Sequence, residues 1–145
     1  MDFDLQDKPS VGPALKDVCK LFSGVFKAMG MTYSLVGELP GAFKTAGLEN
    51  VYTEIVELPM GKLLGGEEAT EMSLQPFLLT IPSLIQGAKG KFITTTRSAG
   101  SLTRIGLKAD VPESVLQNLP ERFGKEIREQ GGIFYTKVIT GQKPV

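Results

Sequence analysis

Ala42–Gly61, AFKTAGLENVYTEIVELPMG, holds a helix end, a glycine stop, a strand and a Pro–Gly exit in one short run. Leu39, Ala42, Phe43 and Ala46 fall on one helical face. Gly47 follows where a left-handed C-cap is wanted, a conformation that only glycine takes without a Cβ penalty. Val51–Leu58 (VYTEIVEL) is rich in β-branched and aromatic residues and partly alternates, which predicts a strand. Pro59 and Gly61 stop it. The order helix, glycine, strand is typical of a doubly wound sheet, so this stretch sets an α/β or α+β frame.

Working outward, the N-terminal side begins with Asp2–Gln6 (DFDLQ), short and alternating, as the end of a strand would be. Lys8–Pro13 is turn-forming, and Pro13 suits the first turn of a helix, where its missing N–H is no loss. Leu15, Val18, Cys19, Phe22, Val25, Phe26 and Met29 then share one helical face, with Lys16, Asp17, Lys20 and Lys27 opposite. Gly30 ends that helix. Met31–Glu38 has little pattern.

On the C-terminal side, Gly61–Glu71 reads as a loop leading into a helix whose start carries Glu67, Glu68 and Glu71, placed well for the helix dipole. Met72–Ile85 is strongly apolar and interrupted by Pro76 and Pro82, which predicts two short helices or one bent one. Gly87–Ser101 (GAKGKFITTTRSAGS) reads as a mobile loop or lid; despite Lys89, Lys91 and Arg97 it lacks the Walker spacing. Asp110–Glu113 resembles a capping box. Val115, Leu116, Leu119, Phe123 and Ile127 follow on one helical face, with Pro120 bending or dividing it. After Gly131–Gly132, Ile133–Thr140 (IFYTKVIT) is a second strong strand.

The 145 residues suit one domain, 1–145, with enough length to bury its own core. Lys plus Arg and Asp plus Glu are equal at 16 each and form no basic stripe, so charge argues for neither nucleic acid nor an anionic membrane as partner. The single cysteine, Cys19, excludes an internal disulfide and sits on an apolar face, as a structural thiol would. Histidine is absent, which removes the commonest general base and the commonest metal ligand; no metal site and no cofactor are expected. With no signal peptide and no membrane-length apolar run, the expected location is cytoplasmic.

Several segments resemble the C-terminal lobe of fungal S-adenosylmethionine-dependent methyltransferases of secondary metabolism. Ala46–Val51 (AGLENV) is similar to the family's Ala-Gly-Phe-x-x-Val. Leu58–Gly66 (LPMGKLLGG) is similar to its Pro-φ-Gly-x-Trp exit from the sixth strand, with the tryptophan replaced near Leu63. Thr103–Val115 resembles its Leu-Gly-x-x-x-Glu-x-Val helix start, Val138–Pro144 its terminal Val-x-Gly-Arg-Lys-Pro, and DFDL the tail of the fifth strand. The family's cofactor half has no counterpart here: no Gly-x-Gly-x-Gly loop follows a first strand, and no acidic residue ends a second. The resemblance therefore implies an α+β, α/β-derived lobe without its own methyl-donor site. It also implies a three-stranded sheet in the order 2–6, 133–140, 51–58, packed with four to five helices. An edge that once continued into a parent sheet would need covering, and a homodimer is the expected cover.

Two function classes follow. The first is a cofactor-free cyclase or isomerase, possibly pericyclic, that folds an apolar polyketide or terpenoid intermediate by shape and a few hydrogen-bond donors. Tyr33, Arg97, Tyr52, Tyr135 and Arg104 are the candidate donors; Phe22, Phe26, Met29, Phe77 and Leu78 are the candidate apolar wall. The second is a non-catalytic lobe that binds a small molecule or modulates a full-length methyltransferase.

Overall fold

Leu15, Val18, Leu21 and Val25 recur at helical spacing, and in the computed structural model they are the buried stripe of helix α1 (Pro13–Ala28). The structure describes residues 11–31, 35–98 and 101–144, with the backbone alone at 35, 36, 91–98 and 101–107. The elements that follow are α2 (Leu35–Thr45), β1 (Glu49–Met60), a 3-10 turn (Gly61–Leu64), α3 (Glu67–Ala88), β2 (Lys89–Ser98), β3 (Ser101–Lys108), α4 (Glu113–Leu116), α5 (Leu119–Glu129) and β4 (Gly132–Gln142). The class is mixed α+β.

The two strong strands pair as expected. β1 and β4 run antiparallel, with Ile55 opposite Lys137, Leu58 opposite Phe134 and Met60 opposite Gly132. The expected third strand, 2–6, lies outside the described residues. Among the described residues β1 and β4 form a two-stranded sheet, and β2 with β3 forms a separate one.

Three expectations need correction. Gly87–Ser101 is not a loop: most of it is β2, paired with β3 from Phe92–Leu107 to Ser98–Ser101. The β-branched run Ile93–Thr96 outweighs the flanking glycines and serines. Met72–Ile85 is not two short helices but the interior of the single helix α3, which leaves the one-helix alternative. Pro76 and Pro82 both lie on its exposed side, so the carbonyls of Met72 and Leu78 that lose their helical partners are near water. The Thr80 hydroxyl also donates to the Pro76 carbonyl at 2.6 Å. Asp110–Glu113 forms no capping box: α4 starts at Glu113 behind Pro112, with no side-chain cap. Pro120 does divide this region, since α4 and α5 are separate helices.

The glycine stop after α2 is as the sequence implies. Gly47 has φ +79°, its N–H donates to the Lys44 carbonyl, and Leu48 N–H donates to Phe43 at 3.0 Å. This paired 5→2 and 6→1 closure satisfies the last carbonyls of the helix.

The core lies where α1, α3 and α5 meet the base of the β1–β4 ribbon. Leu15, Leu21, Leu74, Ile81, Leu119, Phe123 and Ile127 are fully buried there, with Met60, Phe134 and Tyr135 from the ribbon. Gly61 permits the tight passage from β1 into the 3-10 turn. Its φ is +62°, and a Cβ there would collide with the backbone of Ile127. The Ser73 hydroxyl accepts its N–H at 2.9 Å and donates to the Thr70 carbonyl, tying the turn to α3.

Candidate functional site

Two polar clamps hold the helices that any site must be built on. Glu126 is buried on α5, and its carboxylate accepts the N–H groups of Ala14 at 2.8 Å and Leu15 at 3.0 Å. These are orphan donors of the first turn of α1, so a side chain from the far end of the sequence caps that helix. Gly12 is required beside it, because a Cβ there would strike the carboxylate. Arg122 joins a second trio of elements: it donates to Asp17 on α1 at 2.9 Å, and to the carbonyls of Val115 on α4 and Gln117 just after it.

The expected apolar wall forms in part. Phe22 and Phe26 meet edge to face with ring centres 5.9 Å apart, and Phe22 reaches Phe77 at 6.4 Å. Phe77 continues the row inward to Phe123 at 5.5 Å and Phe134 at 6.0 Å. The inner end of this row is packed core, and its outer end, at Phe22 and Phe26, is half-buried. Leu78 turns toward Gly124 of α5 instead. Met29 is largely exposed, because it is the C-cap residue of α1 and lies past the last turn that α3 covers.

The two candidate donors with described side chains, Tyr135 and Tyr52, lie at opposite ends of the ribbon. Tyr135 is buried at the base of the ribbon, whereas Tyr52 stands exposed near its other end. Arg97 lies on β2 and Arg104 on β3, where their side chains, like all of Tyr33, lie outside the described residues.

Around the candidate donor Tyr52, the ribbon carries further apolar residues that the sequence assigned to no site. Cross-strand partners share a face, so Tyr52, Val56 and Leu58 lie on the same side as Val138, which is opposite Glu54. Tyr52, Leu58 and Val138 are exposed and Val56 is half-buried, while Phe134 and Met60 on that face enter the core. Ile55, on the opposite face, is exposed as well. One signal was present in VYTEIVEL: apolar residues at 51, 52, 55, 56 and 58 occupy both faces of a strand, more than one core can cover.

A more polar cleft lies at the start of α3. It is open, about 470 Å³, and bounded by Lys62, Gly65, Gly66, Thr70, Glu71 and Arg128. Arg128 is committed there, with its Nε and Nη2 on the two oxygens of Glu71 at 2.6 and 2.9 Å. The hydrogen bond from Arg128 holds the Glu71 carboxyl below its ordinary range, and the same bond raises the guanidinium. Among the described residues no group of three or more acidic or cysteine side chains is arranged to hold a metal ion. No described helix is long and apolar enough to cross a membrane.

Comparisons with protein-family models, with curated proteins and with solved structures returned no match.

Proposed function

We propose that this chain is a non-catalytic lobe that binds an apolar small molecule on the outward face of the β1–β4 ribbon. Support comes from one observation: Tyr52, Val56, Leu58 and Val138 share one face of the ribbon, grouped around the exposed Glu54 and most of them open to water, beside a packed core. Tyr52 adds a phenol that can orient a polar group of the ligand, and Thr136 and Thr140 on the same face add hydroxyls. A polyketide or terpenoid intermediate is the ligand class that the likeness to secondary-metabolism methyltransferases suggests, and a full-length methyltransferase is the enzyme such a lobe would serve.

The cofactor-free cyclase or isomerase is the second reading. It is favoured by the half-buried Phe22–Phe26 edge pair at the outer end of the aromatic row, which could fold a flexible substrate against a rigid wall.

Binding is tested with 1-anilinonaphthalene-8-sulfonate as the apolar probe. The Tyr52→Ser/Leu58→Ser double variant is expected to bind it several-fold more weakly, and Leu79→Ser, on the exposed side of α3, to bind it as the parent chain does. Equal binding by all three would remove the ribbon as the site. Conversion is tested by mass spectrometry of the metabolites of a producing strain with and without this gene. An accumulated isomer of the lost product would favour the cyclase. A lost product heavier than its precursor by one CH2 would mark service to a methyltransferase.

A further inference from the structure

The outer edge of β1 has no strand partner among the described residues. We infer that this edge pairs with β1 of a second copy, antiparallel and centred on Ile55, so that two ribbons join into a four-stranded sheet. The inference rests on the binding face proposed above and extends it. A two-fold axis normal to the sheet keeps Tyr52, Leu58 and Val138 of both copies on the same side.

The register follows from hydrogen-bond geometry and charge. Residues directly opposite each other in an antiparallel pair turn their N–H and C=O groups either both toward each other or both away, so a strand pairing with itself must be centred on a residue, not between two. Centring on Thr53 sets Glu49 against Glu57; centring on Glu54 or Glu57 sets each against its own copy. Centring on Val56 sets glutamates against Ile55 and Leu58. Ile55 as centre is the register that pairs the three exposed large hydrophobic residues of β1 only with one another, Ile55 on Ile55 and Tyr52 on Leu58, while Glu54 meets the half-buried Val56 and Glu57 meets Thr53.

Pro59 fixes which groups face outward. A proline fits within this ladder where the missing N–H would point away from β4, and by alternation the N–H and C=O of Ile55 and Glu57 then also point away. Ile55 and its copy thus form a hydrogen-bonded pair, with Cα atoms about 5.5 Å apart. Glu49, Glu54 and Glu57 act against the registers centred on Thr53, Glu54 and Glu57, which would set like charges directly opposite each other.

The test uses the full chain in sedimentation velocity over a hundredfold range of concentration. The parent chain is expected to run at twice its chain mass, and Ile55→Lys at the single-chain mass with an unchanged circular dichroism spectrum. Mixing Ile55→Lys with Ile55→Glu is expected to restore the double mass. Ile55→Cys should close a disulfide between copies in oxidised glutathione, since the pair spacing lies in the roughly 4.4–6.8 Å window for such bonds; Ser83→Cys on α3 should not. A parent chain that stays single at every concentration, or an Ile55→Lys variant that stays double, overturns the pairing. Ile55 points away from the proposed binding face, so probe binding by Ile55→Lys reports on that face separately. Loss of probe binding in Tyr52→Ser/Leu58→Ser within an intact dimer leaves both conclusions standing. A dimer whose probe binding survives that double variant removes only the binding site.

Discussion

Leu15, Val18, Phe123 and Ile127 have no exposed surface, whereas Tyr52, Ile55, Leu58 and Val138 leave between 45% and 62% of theirs in water. Both sets are apolar residues in strongly patterned segments. At the helical base, three helices and the foot of the ribbon close around the first set, and two buried or half-buried clamps, Glu126 and Arg122, fix the helices against one another. Toward the outer ribbon, α2 packs alongside among the described residues, through Phe43 and the following Leu48 near Gly141. Apolar patterning therefore states what a residue would gain from burial, and the clamps determine where burial happens. A strand that extends beyond the reach of the clamped helices keeps its gain unspent until something else covers it.

The contrast can be broken most strongly from its buried side. Phe123→Ala removes the ring that meets Phe77 at the centre of the core, and is expected to cost about 3–5 kcal/mol in urea unfolding followed by circular dichroism. A loss below about 1 kcal/mol would mean the base is no better packed than the ribbon. Glu126→Ala is the next largest, at about 2–3 kcal/mol, because it strips the acceptor from two buried N–H groups and uncaps α1. Amide exchange at Ala14 and Leu15 should accelerate in step. Gly61→Ala tests the turn between the two regions: a left-handed φ and a collision with Ile127 together predict a loss of about 1–3 kcal/mol.

Two smaller effects sharpen the contrast from the exposed side. Val138→Ser is expected to change stability by no more than about 0.5 kcal/mol; a larger loss would show that the outer ribbon is covered in solution. Glu71→Gln should have the least effect of all, since the Glu71–Arg128 pair stands in solvent and is screened by salt. Its signature is in the pH profile. Arg128 lowers the Glu71 pKa in the folded state, so the pair contributes above the ordinary glutamate range. That contribution is lost as pH falls through the lowered folded value. The parent chain should therefore lose slightly more stability on acidification than Glu71→Gln does.

The helical base was largely legible in the sequence. The α1 stripe, the Gly47 stop and the division at Pro120 rest on local periodicity or on residues with one conformational use, and so do the two strong strands, whereas their pairing was implied only by the family resemblance. The errors have physical causes too. Prolines at 76 and 82 suggested breaks, but a break is needed only where the freed carbonyls are buried, and exposure is not written in the sequence. Gly and Ser around 87–101 suggested a loop, although Phe92–Thr96 carried a strand signal that deserved more weight than its flanks. The candidate site was less legible. Phe22, Phe26 and Phe77 do meet, because helical spacing predicts which side chains share a face. Tyr52 and Tyr135 do not, because their separation depends on how far the ribbon extends past the core. The Glu126 clamp left no local signal, since its partners are backbone groups more than a hundred positions away.

That clamp also sets an order of events during synthesis. The first turn of α1 leaves the ribosome early, but the carboxylate that completes it is made 112 residues later. At about 5–20 residues per second, the helix waits several seconds with its leading amides bound only to water. A nascent chain that stops short of residue 126 thus holds an amphipathic α1 with neither its cap nor the α5 face it packs on. Completion of α1 coincides with arrival of α5, so this part of the fold closes as a ring in time rather than growing from one end.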